Sequence, residues 1–149
     1  MRVNIFLVLL FLASVLPSEA KTKYSVRMAD SEIKRNTEAW MLDFSKAPNW
    51  NYCHGLELQA ILQVWQQTGD KKYYDYAYGF ADLMVQSDGQ IKTYKSQEYN
   101  IDRINSGKML FTIYTQSKEE RFKSALDLMR NQMKTHPRTA DGSFWHKKI

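Results

Sequence analysis

The sequence predicts an all-α fold, and three observations lead to that class. Apolar residues recur at steps of three and four in five separate stretches, which is the spacing of one face of a helix. Proline and glycine separate several of these stretches, as at Pro48, Gly69 and Gly89. No stretch shows the strict alternation that is typical of a strand, although residues 90–98 are compatible with an extended loop or a short hairpin arm.

The first two stripes predict two helices that a proline break separates. Pro48 disfavours helix at the residue before it and can start the next segment. The first stripe runs to Phe44, and Gly69 ends the second helix. The first stripe consists of Val26, Ala29, Ile33, Thr37, Trp40 and Phe44, and the second of Leu58, Ile61, Leu62 and Trp65.

Three further stripes predict the third, fourth and fifth helices. Gly89 is the expected C-terminal stop of the third helix, and His136-Pro137 ends the fifth. The stripes are, in chain order, Tyr74, Ala77, Tyr78, Ala81, Met84 and Val85; Ile104, Phe111 and Tyr114; and Phe122, Ala125, Leu126, Met129 and Met133.

A weak internal repeat relates the later helices to the earlier ones. In “QQTGDKKYYDYA” and “YTQSKEERFKSAL”, Tyr74 and Ala77 correspond to Phe122 and Ala125 at an offset of 48 residues. A period of this size indicates stacked helical hairpins, so an open solenoid and a closed α/α toroid both fit. The turns after helices one, three and five carry aromatic and ionisable residues. These favour the toroid, because they suit loops gathered at one mouth of a ring.

The first 20 residues have the layout of a secretory signal peptide. Arg2 precedes an apolar run over residues 5–16, and residues 18–20, “SEA”, supply a small-x-small cleavage pattern. The apolar run is short for a membrane-spanning helix, so an uncleaved anchor is the weaker alternative. We therefore expect a mature chain that begins near Lys21, is secreted or periplasmic, and has no membrane partner.

Residues 21–149 are enough for one domain with a modest core. The formal charge is +5, but cationic and acidic residues are interspersed, so we expect no nucleic-acid partner. Cys53 is the only cysteine of the chain, which excludes an intramolecular disulfide. With no obvious base partner, Cys53 is predicted to be a buried apolar residue and not a nucleophile.

The first cluster with possible chemistry is “NWNYCHG”, residues 49–55. Trp50, Tyr52 and His54 can offer flat faces and a hydrogen-bond donor to a sugar ring. The alternative is structural, with Trp50 as a hydrophobic staple and His54 as a helix-start residue.

The second cluster is “YNIDRINSGKML”, residues 99–110. Asn100 or Asp102 suits the N-cap of helix four, and a carboxylate at this helix mouth is also a candidate catalytic or substrate-binding group. Gly107 lies inside the helical stripe, where glycine costs about 1 kcal/mol relative to alanine. We therefore expect either protein or ligand to approach Gly107 closely.

The third cluster is “THPRTADGSFWHKKI”, residues 135–149. Pro137 and “ADGS” have turn chemistry, and the alternative to an ordered loop is an unstructured basic tail. A tail seldom contains Phe-Trp, so we expect packing or function here. Trp145 can stack on a pyranose, and four cationic residues can neutralise a carboxylate. They are Arg138, His146, Lys147 and Lys148.

The sequence shows no metal-binding pattern. Its three histidines, His54, His136 and His146, lack the spacing of metal ligands, and there is no second cysteine. It also contains no glycine-rich phosphate loop and no nucleophile elbow. We therefore expect no metal site.

These motifs, in this order, resemble those of the unsaturated glucuronyl and rhamnogalacturonyl hydrolases, which are glycosidases of families 88 and 105. The resemblance runs from about Ile33 to Ile149 and rests on “NWNYCHGL”, “TGDKKYYDYA”, “YNIDRINSGKMLF” and “HPRTADGSFWHKK”. The last motif favours the rhamnogalacturonyl branch. The resemblance implies an (α/α)6 toroid of six hairpins, of which residues 21–149 form an N-terminal part with about two and a half hairpins.

The resemblance also implies a distinctive reaction and substrate. The substrate is an oligosaccharide with an unsaturated uronic acid at its non-reducing end, as polysaccharide lyases leave it. An aspartate protonates the carbon–carbon double bond, water is added across it, and the resulting hemiketal breaks down and releases the sugar. Two-carboxylate glycosidases attack their substrates at the anomeric carbon, whereas this reaction begins at the double bond. The resemblance implies that no metal or organic cofactor is needed.

Matched motif by motif, the resemblance assigns roles to residues of this chain. Asp102 matches an aspartate that supports the site and helps to set the state of the acid. His146 and Lys147 match a pair that contacts the substrate. Tyr52 and His54 lie in the motif that faces the sugar.

The sequence departs from the family pattern after this loop. In the family, “GSFWHKK” runs into a segment of the type “YPxQMWLDGL”, whose aspartate is the principal acid and base, and the 149 residues contain no counterpart of it. We therefore expect this polypeptide alone to have no hydrolase activity. The alternative function is a non-catalytic helical-repeat module that binds carbohydrate or a protein through its concave face.

Overall fold

The computed structural model describes residues 23–147 and confirms the all-α class. In this part of the chain the only extended pairings are two isolated antiparallel bridges, Val85 with Ile91 and Arg138 with Phe144. Two 3₁₀ segments, Ala39–Phe44 and Ser96–Glu98, lie between the helices. The helices are α1 Tyr24–Arg35, α2 Tyr52–Thr68, α3 Lys71–Met84, α4 Ile101–Asn105, α5 Lys108–Ser117 and α6 Glu120–Lys134.

The predicted signal peptide and Lys148 lie outside the described residues. Within residues 23–147, no helix combines the length and the apolar character that crossing a membrane requires.

The ends of α2 follow from local side-chain chemistry. The Asn51 side chain caps the helix by accepting a hydrogen bond from the His54 backbone N–H at 3.2 Å. At the other end Gly69 has a φ of 72°, and its N–H donates to the Trp65 carbonyl at 2.8 Å. The left-handed conformation suits glycine, so the predicted stop at Gly69 is confirmed.

The first predicted helix is shorter than its stripe. α1 ends at Arg35, and the stripe residues Trp40 and Phe44 lie in the 3₁₀ segment Ala39–Phe44, which is not helical at Leu42 and Asp43. Asp43 and Phe44 have positive φ angles of 57° and 54°, which no right-handed helix contains. Leu42 is fully buried while Phe44 points to solvent, so Phe44 is not part of the predicted apolar face.

Two helix hairpins, α2–α3 and α5–α6, form the body of the fold. Each has a two-residue connection that begins with a left-handed residue, Gly69 at φ 72° and Lys118 at φ 62°. α3 and α6 begin at residues 71 and 120, so the repeat is one residue longer than the predicted offset of 48. The side chains buried between the hairpins include Leu58, Leu62, Tyr73, Phe80, Leu110, Ile113 and Phe122.

The longer repeat makes Tyr73, and not Tyr74, the counterpart of Phe122. Tyr73 is fully buried, and its hydroxyl donates to the Asp30 carboxylate at 2.8 Å. Tyr74 is half-buried and packs its ring against Trp65 at a centroid distance of 5.0 Å. The pairing of Tyr74 with Phe122 was therefore wrong by one position.

The fourth stripe is divided between two helices. α4 ends at Asn105 and α5 begins at Lys108, and Asn100 is the N-cap residue of α4. Phe111 is exposed, because the buried face of this region runs through other positions. Those positions are Ser106, Gly107, Met109, Leu110 and Ile113.

The segment after α3 is a short turn followed by a loop. α3 ends at Met84, five residues before Gly89, so Gly89 does not end the helix as predicted. Gly89 instead lies in the turn between the bridged residues Val85 and Ile91, with a φ of 83°.

Candidate active site

Asp102 and His146 form the centre of the candidate site. Nε2 of His146 lies 2.8 Å from Oδ2 of Asp102, although the two residues are 44 positions apart. Their side chains are 41% and 68% exposed respectively, so a ligand can reach both. A carboxylate only accepts hydrogen bonds, which places a proton on Nε2. Nδ1 is then an acceptor in the neutral ring and a second donor in the protonated ring.

The start of α4 positions the Asp102 carboxylate. Oδ1 of Asn100 accepts a hydrogen bond from the Asp102 backbone N–H at 3.0 Å. The capping bond fixes the first turn of the helix, where the helix dipole favours a negative side chain.

The loop that carries His146 is an ordered turn, as its composition predicts. The Thr139 N–H donates to the Ser143 carbonyl at 2.9 Å, and Gly142 takes the left-handed conformation with a φ of 86°. The Trp145 N–H donates to the Pro137 carbonyl at 3.0 Å, which closes the loop at its base. Hydrogen bonds from Thr139 and Ser143 hold the pKa of Asp141 below its usual range.

The cationic residues of this loop have different surroundings. Nη1 of Arg138 donates to the Gly142 carbonyl at 2.9 Å, and its guanidinium lies over the Phe144 ring, so Arg138 is engaged within the loop. Lys147 is exposed next to His146. Trp145 is 46% exposed, and its indole N–H donates to the Arg138 carbonyl at 3.1 Å, which fixes the ring direction.

Tyr52 brings the start of α2 to the same site. Its side chain is 50% exposed. A hydrogen bond with the Cys53 side chain is the main cause that raises the pKa of Tyr52, and the charges of Asp43 and Asp102 add to it. The phenol therefore stays protonated at neutral pH and can donate to a ligand.

Two contacts join the start of α2 to α4 and so fix Tyr52 relative to Asp102. The indole N–H of Trp50 donates to the Arg103 carbonyl at 2.9 Å. The buried Ser106 hydroxyl donates to the Asn51 carbonyl. These hydrogen bonds therefore hold the segments of Tyr52 and Asp102 in a fixed relative position.

His54 does not reach the surface, in contrast to the direct sugar contact that its motif predicts. Its ring is fully buried and stacks on Phe80 at a centroid distance of 4.8 Å. Nδ1 lies 2.9 Å from the Asn51 side-chain oxygen and Nε2 lies 3.1 Å from the Trp40 carbonyl. Both ring nitrogens face oxygen atoms of the protein and neither faces solvent, so the geometry supports the structural alternative for His54.

Trp50 also takes its structural alternative. It is fully buried, and its ring stacks on Phe80 at 5.8 Å with an angle of 12° between the planes. Its indole N–H is already bonded to the Arg103 carbonyl, so no face or donor is left for a sugar.

Two further expectations about this region are resolved by packing. Cys53 was predicted to be a buried apolar residue and is half-buried. Burial raises the pKa of its thiol, which disfavours a thiolate nucleophile. A Cβ on Gly107 would lie 2.4 Å from the terminal methyl carbon of Met129. The close approach to Gly107 therefore comes from a core side chain and not from a ligand.

Sequence reasoning missed two residues that shape the site. The charge of Asp43 acts on Tyr52, and nothing in the sequence distinguishes Asp43 from other surface acids. Gln132 is buried on α6 between Met129 and Met133. A polar residue beside this apolar stripe could have indicated from the sequence that it makes buried hydrogen bonds. Among residues 23–147, no group of three or more His, Cys, Asp or Glu side chains is arranged to hold a metal ion.

The sequence model of the family described as Glycosyl Hydrolase Family 88 matches residues 24–149. The chain belongs to this family. It is also similar to a solved structure, the family 105 glycoside hydrolase of C. acetobutylicum, with 41% identity over 86% of this chain and a TM-score of 0.77.

This family 88 chain spans only about a third of the length of that solved protein, 34%. Its helices correspond to part of an (α/α)6 toroid, so the toroid and not the open solenoid is the architecture. The predicted family and fold class are confirmed.

Proposed function

We propose that this chain contributes binding residues to a glycosidase site for unsaturated uronic acid at the non-reducing end of oligosaccharides, such as unsaturated rhamnogalacturonan. The observation that carries the proposal is the exposed Asp102–His146 pair, with 2.8 Å between carboxylate and imidazole. Membership in family 88 supports a glycosidase, and the tyrosine, tryptophan and lysine around the pair suit an anionic sugar.

Each exposed side chain of the site has a separate task in this proposal. The indole of Trp145 offers a flat apolar face to the pyranose ring. The Tyr52 phenol donates to a sugar hydroxyl, and His146 and Lys147 attract the uronate carboxylate. Opposite charges at an exposed site contribute modestly, so we assign affinity to the combination and not to any single contact.

The proposed chemistry adds water across the carbon–carbon double bond. A carboxylic acid gives its proton to one carbon of the double bond. The oxygen of a water molecule bonds to the other carbon while a proton of that water passes to the carboxylate left behind. The hemiketal that results breaks down to release the linked sugar. The negative charge of Asp102 disfavours ionisation of a nearby acid and so keeps that acid protonated. General acid–base assistance of this kind is worth about 10²–10⁴-fold, but the 149 residues contain no counterpart of the principal acid.

The direct test is to titrate an unsaturated rhamnogalacturonan disaccharide into the isotope-labelled full chain and follow its NMR spectrum. We expect signals of Tyr52, Asp102, Trp145 and His146 to move together. The saturated disaccharide should move them less. Movement confined to other parts of the surface would contradict the proposal.

A lysine pair supplies the matched variants. Lys147→Ala should weaken binding about fivefold, as expected for the loss of about 1 kcal/mol, whereas Lys123→Ala on the exposed face of α6 should not change it. The absorbance of the double bond should persist in the presence of this chain. Its loss would show that the acid lies within these 149 residues.

A second candidate is the non-catalytic module, and one observation favours a protein partner for it. Tyr24, Met28 and Leu56 are largely exposed apolar side chains on α1 and α2. A groove of about 370 Å³ between these helices has Ala29, Ile61 and Val64 in its walls. Exposed apolar area of this kind is typical of binding surfaces. Failure of the saccharide titration with an intact fold would favour this candidate.

A further inference from the structure

The Asp102–His146 pair is too exposed to hold residues 137–147 in place by itself. Exposed ion pairs contribute little to stability, because water screens them and long side chains lose freedom when they pair. The position of His146 therefore depends on other contacts of its loop. These contacts lead to one buried residue of α6, Gln132.

Gln132 makes three hydrogen bonds in the interior. Its side chain is 4% exposed. Oε1 accepts from the Tyr94 hydroxyl at 2.5 Å, while Nε2 lies 3.3 Å from Nδ1 of His136 and 3.5 Å from the Asn100 carbonyl. An amide nitrogen has two hydrogens to donate, and the two neighbours of Nε2 can both accept. The network therefore fixes which way the amide points.

His136 transmits this orientation to the loop. Nε2 lies 2.7 Å from the Trp145 carbonyl, which can only accept, so Nε2 carries the proton. Nδ1 is then the acceptor for the Gln132 amide. Tyr99 and Phe144 hold the imidazole edge-on, at centroid distances of 5.6 Å and 5.5 Å.

Two chains of contacts, which we call arms, start at Nε2 of Gln132 and lead to the two halves of the candidate site. One arm reaches Asn100, whose side chain caps the backbone of Asp102. The other passes through His136 to Trp145, the residue before His146. The circuit closes where the Ile101 N–H donates to the His146 carbonyl at 2.9 Å.

We propose that Gln132 and His136 are positioning residues of the candidate site, which hold the segments that carry Asp102 and His146 so that the pair can form. The use of that pair in sugar binding rests on the proposed function. The positioning itself is tested without any saccharide.

The first test is the protonation of His136, read from ¹⁵N NMR of the histidine-labelled full chain. At neutral pH we expect the proton on Nε2 and a bare Nδ1. In Gln132→Glu a carboxylate oxygen faces Nδ1, so Nδ1 should gain a proton. A proton on Nδ1 of His136 in the unchanged chain would overturn the proposal.

The second test is hydrogen exchange at the Ile101 amide, whose acceptor is the His146 carbonyl. Gln132→Leu keeps the approximate size but removes every hydrogen bond of the amide. We expect the hydrogen-exchange rate of the Ile101 amide to rise about tenfold, because the substitution makes local opening of this segment easier. The exchange rate of Leu62, which is buried in α2, should not change. A parallel change at both residues would show a purely structural role and overturn the proposal.

A milder matched pair keeps the test decisive if Gln132→Leu does not fold. Tyr94→Phe removes one hydroxyl at the start of the network, and Tyr76→Phe removes a hydroxyl that donates to the Asn36 carbonyl at 2.7 Å, outside the network. Tyr94→Phe should raise exchange at Ile101 about threefold, and Tyr76→Phe should not. Equal effects of the two variants would overturn the proposal.

Failure of the proposed function has a different signature. If the chain shows this protonation and exchange pattern but no saccharide-induced shifts, the proposed function is wrong and the positioning role stands.

Discussion

Two regions of this chain have similar residue types but opposite surroundings. Residues 49–55 and residues 137–147 each combine tryptophan with histidine, and a sugar contact was considered for both, with a structural role as the alternative for the first. In the first region Trp50 and His54 are fully buried against Phe80. In the second, Trp145 and His146 are open to solvent, and His146 meets Asp102.

The difference shows that a motif predicts which segments lie near the site more reliably than it predicts which of their side chains are exposed. The first region is a junction, where α2 is bonded to α4 through Trp50 and Ser106. The second lies over the start of α4 and contacts it from one side. We therefore expect substitutions in the first region to act on folding and those in the second to act on binding.

Gly55→Ala should have the largest effect and would sharpen the contrast most. A Cβ at this position would lie 2.3 Å from the Cα and 2.8 Å from the backbone N of Ser106, so α2 and the end of α4 would have to separate. We expect the free energy of unfolding to fall by about 3 kcal/mol, measured by urea denaturation.

Gly107→Ala is the matched control for this substitution. Its Cβ would meet the flexible end of Met129, which can move, although the nearest contact is equally short at 2.4 Å. A cost of about 1 kcal/mol or less is expected. Equal costs for the two variants would show that the α2–α4 junction is not the rigid part of the molecule.

His54→Ala should cost about 2 kcal/mol at pH 7.5, because it removes a buried ring and the one hydrogen bond that the neutral imidazole can donate. Burial lowers the pKa of His54 below its ordinary value of 6.5. The unfolded chain then binds a proton at higher pH than the folded chain does. The stability that neutral His54 provides is therefore present above pH 6.5 and is lost as the pH falls below it.

The cost of His54→Ala should consequently shrink by up to about 1 kcal/mol between pH 7.5 and pH 5.5. Urea denaturation at both pH values measures this change. Leu58→Ala, another buried position of α2, should cost the same at both. A pH-independent cost for His54→Ala would mean that its imidazole is not buried in the neutral form.

Most helices were predictable because their apolar spacing agrees with their packing. The predictions failed at Phe44 and Phe111, where the stripe continues in sequence but the backbone does not continue as one helix. Two consecutive positive φ angles at Asp43 and Phe44 cannot be read from residue types that rarely adopt them.

The site was predictable in its residues more than in its geometry. Asp102, Tyr52 and His146 were singled out, but the 2.8 Å contact between segments 44 residues apart depends on tertiary packing. The burial of His54 had a usable signal. Positions two apart on a helix point about 200° apart, so Tyr52 and His54 at the start of α2 cannot both face a ligand.

His146→Ala should have the smallest effect on stability and is the sharpest check of the second region. The imidazole is 68% exposed and makes one ion pair, so we expect the free energy of unfolding to change by less than about 1 kcal/mol. The bond from the Ile101 N–H to the carbonyl of residue 146 uses backbone atoms and should survive the substitution. Urea denaturation and exchange at Ile101 measure these two quantities. If His146→Ala costs as much as His54→Ala, the loop belongs to the folded core, and the contrast between the two regions does not hold.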